Sequence, residues 1–294
     1  MDIVEEIKAT FKKGSNLTKL IYINLGVFLL AILVRIVVFL FKLDESFFSV
    51  VNLLAIPSDL SSLLIKPWTF FSYMFLHERF WHILFNLLWL YWFGVIFLRF
   101  LHEKKLLSIY LVGGLVGAVF YVLAFNIFPV FSESVEYSVA LGASASVMAV
   151  VVATAVYAPD YQVMIPFLGP VKIKYIAIIF VVLDLIQLPI ENSGGHIAHL
   201  GGAFWGFLYI RNLRNGKDIA ARFDRLMDTV FSWFRSGKRL KVSYKRPMTD
   251  MEYNQKKNVD QARIDQILEK ISQSGYDSLS KEEKDILFNY SNKK

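Results

Sequence analysis

Six stretches rich in apolar residues divide the chain, and most of what is polar falls between or after them. They run over about 20–41, 80–101, 106–128, 140–157, 175–188 and 196–210. Crossing about 30 Å of hydrocarbon takes roughly 20 apolar residues in a helix, so the pattern predicts six membrane-spanning helices. Arg35 interrupts the first run and Asp184 the fifth. Gly113 and Gly117 in the third form a small-xxx-small pattern suited to close helix contact. The connection from Asp44 to Trp68 is long, partly apolar and broken by Pro57 and Pro67, which predicts a segment lying in the membrane interface.

Composition strengthens this picture. Of 294 residues, 55% are hydrophobic and 16% aromatic, more than a soluble domain of this length carries. The expected class is all-α, a polytopic membrane protein. The first run follows a charged segment (Met1 to Asn16) and has no small-residue cleavage site, so it reads as a retained helix and not as a signal peptide. The chain has no cysteine, which excludes disulfides, thiolate catalysis and Cys-ligated metal. A net charge of +7 suits basic cytoplasmic segments and calls for no nucleic-acid partner. Lys and Arg gather at the N-terminus, at 99–105, at 172–174 and from Arg211 onward, while 131–138 and 189–195 contain neither. The positive-inside rule then places both termini in the cytoplasm, the parity that six spans require.

After the last run, 11 Lys and Arg stand against 3 Asp between Arg211 and Arg246. Ile219, Phe223, Leu226, Met227, Val230, Phe231 and Phe234 recur there at helical spacing, which predicts a basic amphipathic helix on anionic headgroups. Residues 260–294 read as two short helices, Ala262 to Ser272 and a second starting at Ser280, with Gly275 as the break and Ser280/Glu283 as a capping box.

The candidate chemistry lies at three helix starts. Gly142-Ala143-Ser144-Ala145-Ser146 opens the fourth span, and small neighbours there leave room for backbone to approach. His82 and Asn86, four residues apart, share a face of the second span, and His196 and His199 open the sixth. Spans two, four and six all descend from the same surface, which predicts Ser144 about four residues into its span, His199 about three, and His82 and Asn86 about two to six. At 1.5 Å per residue these groups lie within about a turn of one depth. Acyl transfer fits: His199 as the base for Ser144, with the Ser144 N–H, His82 and Asn86 as donors to an oxyanion. Gly201, Gly202 and Gly206 allow spans four and six to approach. No carboxylate is evident beside His199, so a Ser–His dyad is expected, with Asp184 read as a packing or buried hydrogen-bonding residue.

His77-Glu78-Arg79-Phe80-Trp81-His82-Ile83-Leu84-Phe85-Asn86, then Gly142-Ala143-Ser144, then Ala198-His199-Leu200-Gly201-Gly202 together resemble the signatures of rhomboid intramembrane serine proteases. The resemblance implies a six-helix rhomboid-like membrane domain over 17–213, flanked by a cytoplasmic segment (1–16), a basic amphipathic juxtamembrane segment (214–247) and a cytoplasmic tail with a helical hairpin (248–294). It implies a Ser144–His199 dyad, an oxyanion site of His82, Asn86 and the Ser144 backbone, and a membrane-embedded first loop around Trp68. No metal and no cofactor are implied. The expected partners are transmembrane protein substrates, entering beside span five, and membrane lipids. The expected location is the bacterial cytoplasmic membrane.

Four positions depart from the family pattern: Ala145 stands where Gly usually follows the nucleophile, Thr69 follows Trp68 where many bacterial members have Arg, and Ala149 and Val152 of span four stand where glycines are common. The added methyl of Ala145 is expected to alter packing against span six. The alternatives are a catalytically inactive rhomboid-like binder of membrane helices and a transporter using Arg35 and Asp184. A metal-dependent protease is set aside because His77-Glu78 and His82 miss the HExxH spacing and no carboxylate accompanies His196 and His199.

Overall fold

The computed structural model describes residues 3–43, 50–234 and 250–291. It forms two compact units, Met1–Arg235 and Ser236–Lys294. In the first, α1 (Ile3–Lys13) precedes α2 (Asn16–Leu40). Ser15 caps α2 by accepting from the Thr18 N–H, and Glu103 accepts from the Asn16 N–H at 2.7 Å. A short strand β1 (Ile56–Pro57), α3 (Leu60–Ile65) and α4 (Thr69–Ser72) fill the connection to α5 (Phe80–Leu98). Within that connection the Trp68 indole donates to the Leu53 carbonyl at 2.8 Å, and Thr69 donates to the Lys66 carbonyl at 2.7 Å. Residues 44–49 of the long connection lie outside the described residues.

Next come α6 (Glu103–Ile127), β2 (Val139–Ala140), α7 (Ser144–Tyr157), a hairpin of β3 (Gln162–Ile165) and β4 (Gly169–Lys172), α8 (Ile173–Gln187) and α9 (Ser193–Arg214). The six long helices α2 and α5 to α9 carry the six apolar runs. Three of them, α2, α5 and α6, are long and apolar enough to cross a membrane, and α7 is a shorter apolar helix. Glycines, histidines and two terminal arginines dilute the apolar character of α9. The fold is an all-α, polytopic membrane architecture; its two small two-stranded sheets only fasten loops.

The core is built around α7. Every residue from Ala145 to Ala155 is buried, as a sequence apolar but for Ser146 and Thr154 requires, and α5, α6, α8 and α9 pack about it. The reading of the sequence began this span at 140. The helix instead begins at Ser144, because residues 139 and 140 pair with Pro57 and Ile56 as β2 against β1. Fourteen residues of helix measure only about 21 Å, so α7 cannot cross the hydrocarbon alone.

Contact between α7 and its neighbours depends on missing side chains. A Cβ on Gly202 would lie 2.0 Å from the Ala145 carbonyl oxygen, and one on Gly206 2.3 Å from that of Ala149. On the other side a Cβ on Gly113 would meet the Ala149 methyl at 2.3 Å, and one on Gly117 the Ala145 methyl at 2.6 Å. The Ala145 methyl therefore faces Gly117 of α6, which makes room for it, in a gap that the Ala198 carbonyl of α9 also borders. Gly202→Leu is expected to cost about 3 kcal/mol or more, the upper range for overpacking, because a backbone carbonyl cannot rotate away. A melting temperature equal to the parent's would refute this account of the α7–α9 contact.

At the end opposite the candidate site, α10 (Ala221–Phe234) is tied to the start of α6. Lys105 pairs with Asp218 and Asp224, Ser108 donates to Asp224, and Lys104 pairs with Asp228 at 2.8 Å. The basic stretch that follows, 235–249, lies outside the described residues. In the second unit α11 (Asp250–Ser274) and α12 (Lys281–Ser291) form a helical pair. The capping box forms, with the Ser280 N–H on Glu283 at 2.7 Å and the Glu283 N–H on Ser280 Oγ at 3.3 Å. Gly275, at φ +79°, turns the chain between the two helices.

Candidate active site

Ser144 is the first residue of α7, so its own N–H and those of Ala145 and Ser146 belong to the first turn, where no intrahelical acceptor exists. The loop before it is held at several points. The Ser58 N–H donates to Ser138, the Gly142 N–H to the Tyr73 carbonyl at 2.9 Å, and the Ala143 N–H to His77 Nε2 at 3.3 Å. His77 Nδ1 faces the Phe75 carbonyl at 3.3 Å. With a carbonyl at one nitrogen and a donor at the other, the imidazole must be neutral and protonated on Nδ1. Burial, and then the nearby His82, hold its pKa down to about 4, so it keeps this form at neutral pH. His77 is thus a clamp on the loop that presents Ser144.

Gly142 has φ +125°, a conformation that side chains rarely adopt. A Cβ there would also lie 2.6 Å from His82 Cε1 and 2.9 Å from Nε2, with Ser144 Oγ 3.7 Å away. The His82 ring edge and the Ser144 hydroxyl therefore flank the same glycine. Asn86, one turn along α5, is buried and donates to the His82 carbonyl at 2.9 Å. That bond uses one of its two N–H donors.

Ser144 and His199 line one cavity of about 240 Å³, together with Trp89, Val147, Met148, Val151, Phe180, Leu183 and Asp184. His199 is the seventh residue of α9, deeper than expected. Among the described residues no hydrogen bond joins Ser144 Oγ to the imidazole. The other ring nitrogen is engaged. His199 Nδ1 lies 2.8 Å from Asp184 Oδ1, and His196 Nδ1 lies 2.7 Å from the same oxygen. An ionised carboxylate only accepts, so Nδ1 of His199 carries its proton and Nε2 keeps the lone pair a base needs.

This corrects two readings of the sequence. A carboxylate does stand beside His199, and the same carboxylate accompanies His196. The signal was present: the turn at 188–192 folds α8 back on α9, so a residue three before the end of α8 faces residues in the first two turns of α9. Of the sequence-predicted residues, the structure brings Ser144 and His199 to one cavity and His82 to the adjoining Gly142. Asn86 lies next to His82 and outside the residues lining the cavity. Asp184 is the buried hydrogen-bonding residue expected, but its two imidazole partners, and the bonds of His77 and Tyr73 to the loop before Ser144, are not marked in the sequence.

Residues 65–215 match the family described as Rhomboid domain. Residues 249–293 match a family of unknown function (DUF6576). The chain is 28% identical over 158 residues to RHOMBOID-like protein 12, mitochondrial, of Arabidopsis thaliana, an alignment covering 51% of this chain and 47% of that protein. The chain thus spans about half the length of the curated relative it matches. With the first match taking in α5 to α9, the cavity and every residue around it, the chain belongs to the rhomboid family and is an integral membrane protein.

Proposed function

We propose that the chain is an intramembrane serine endopeptidase that cleaves transmembrane protein substrates, with Ser144 as nucleophile and His199 as base. The observation that carries this reading is the shared cavity of Ser144 and His199, with His199 Nδ1 held by Asp184 so that Nε2 is free to accept a proton. Ser144 Oγ attacks the scissile carbonyl as its proton passes to His199 Nε2. The resulting oxyanion takes hydrogen bonds from first-turn N–H groups of α7, from His82 beside Gly142, and from the remaining Asn86 N–H. Collapse of the tetrahedral species returns the proton to the departing amine, leaving an acyl-serine. Water, deprotonated by the same imidazole, then releases the carboxylate product. Asp184 acts through His199 by holding its tautomer and offsetting the charge of the imidazolium.

Trp89 of α5 and Phe180 of α8 meet edge to face at 4.7 Å and both line the cavity. Parting them would connect the cavity with lipid, which supports entry of a substrate helix beside α8. The distribution of Lys and Arg supports cytoplasmic termini, with the site beneath the opposite surface of the membrane. The amphipathic pattern of 221–234 supports contact with anionic lipid.

The test is cleavage of a model transmembrane segment by the purified full chain in liposomes. Cleavage should proceed with chelator present and stop once a fluorophosphonate has labelled the protein. Binding of the segment without cleavage would favour the inactive binder, and loss of cleavage on chelation would favour a metal enzyme.

A further inference from the structure

Asp184 receives more than a catalytic pair requires. Two imidazole nitrogens, from His196 and His199, converge on one of its oxygens at 2.7 and 2.8 Å. Its other oxygen, Oδ2, is buried without a hydrogen-bond partner among the described residues. One ligand atom from each of the three residues can be chosen so that all lie within 4.8 Å of one another. Two imidazoles and one carboxylate, with a fourth position left open, are a donor set that binds zinc tetrahedrally. They also suit the other late first-row cations.

Bonds of about 2.0–2.1 Å to nitrogen and about 2.0–2.2 Å to oxygen would set each nitrogen roughly 3.3 Å from the carboxylate oxygen. Each nitrogen therefore needs to part from the carboxylate oxygen by about half an ångström, while the widest pair of ligand atoms, within 4.8 Å, closes toward the same spacing, with Oδ2 available to take part as the carboxylate turns. Access exists, since Asp184 and His199 line the cavity and the His199 side chain is 21% exposed.

We infer that His196, Asp184 and His199 form a binding site for a divalent transition-metal ion such as zinc, and that its occupancy switches the peptidase off. The inhibitory part rests on the catalytic reading of Ser144 and His199. A cation on His199 Nδ1 takes the lone pair that appears there when the ring's proton shifts to Nε2. The neutral, metal-bound imidazole then carries N–H toward Ser144 and has no lone pair with which to accept the hydroxyl proton. The carboxylate is withdrawn from His199 in the same step. His196, which has no part in the proposed peptide chemistry, supplies the third ligand.

The experiment uses the purified full chain in detergent with two readouts. Cleavage is titrated with zinc and then with EDTA; separately, cobalt(II) is added to the Ser144→Ala protein and its visible absorption followed. Expected are zinc inhibition reversed by EDTA, and the intense absorption of tetrahedral cobalt. His196→Gln, compared with its own metal-free rate, should need at least about tenfold more zinc for half inhibition, and should lose the cobalt spectrum. Zinc inhibition unaltered in His196→Gln, activation by zinc, or no tetrahedral cobalt spectrum would each overturn the inference. If the chain cleaves nothing under any condition, the peptidase reading and the inhibitory role both fall, while the cobalt spectrum still decides whether the site binds metal.

Discussion

Ser144→Ala is expected to reduce cleavage of a transmembrane substrate by about 10⁶-fold, the scale seen when the nucleophile of a serine hydrolase is removed. The substitution deletes one oxygen at the first position of α7, where no side-chain cap bond is made. It breaks no hydrogen bond seen among the described residues, and alanine is the better helix former. The melting temperature should therefore stay near the parent's and substrate should still bind. Kinetics and fluorophosphonate labelling on the Ser144→Ala protein separate the outcomes. Residual cleavage within a hundredfold of the parent would show that the nucleophile is elsewhere, and Ser146 is not well placed to take over. Its side chain is fully buried, with its hydroxyl against the Met74 sulfur at 3.9 Å.

Asp184→Ala is the second large effect. It removes the acceptor that holds His199 Nδ1 and the charge that offsets the imidazolium, so kcat should fall by roughly 10³- to 10⁴-fold. KM should change little, because Asp184 acts through His199 on the chemical step. Asp184→Asn separates the two contributions. Its Oδ1 can still accept from both imidazoles when the amide nitrogen takes the place of the unpartnered Oδ2, which keeps the tautomer while the charge is lost; the flipped amide would instead donate to Nδ1 and impose the wrong tautomer. We expect Asn to recover part of the rate that Ala loses. Equal rates for the two variants would mean that orientation counts for nothing here, and a kcat unchanged in Asp184→Ala would return the site to a simple dyad. A thermal melt of each variant guards against mistaking loss of the α8–α9 contact for loss of chemistry.

The candidate site was partly legible in the chain because its residues recur at helix starts. Ser144, His82, Asn86 and His199 each stand near the beginning of an apolar run, and polar groups at that depth are costly without a purpose. The spacing of Gly202 and Gly206 likewise announced a close contact. Its partner was harder to read, since which side of α7 meets α6 and which meets α9 depends on the rotation of a helix that is apolar all round. That is why the role of Gly117 opposite the Ala145 methyl is not legible in the sequence. The start of α7 was misplaced for a related reason: Val139 and Ala140 are apolar enough to extend a helix, and only their pairing with β1 keeps them out of it.

Sequence alone determined the number and order of the long helices of the first unit, the all-α membrane class, the break and capping box of the tail, and which serine and histidine stand as candidates for the chemistry. These follow from runs and spacings within single segments, where burial and local backbone geometry act over a few residues. Tertiary structure alone decided that Asp184 meets both His196 and His199, that His77 clamps the loop ahead of Ser144, and that Gly117 accommodates Ala145. Each of these joins residues from different helices or loops, and the meeting is set by how those segments pack, a choice that no single segment encodes.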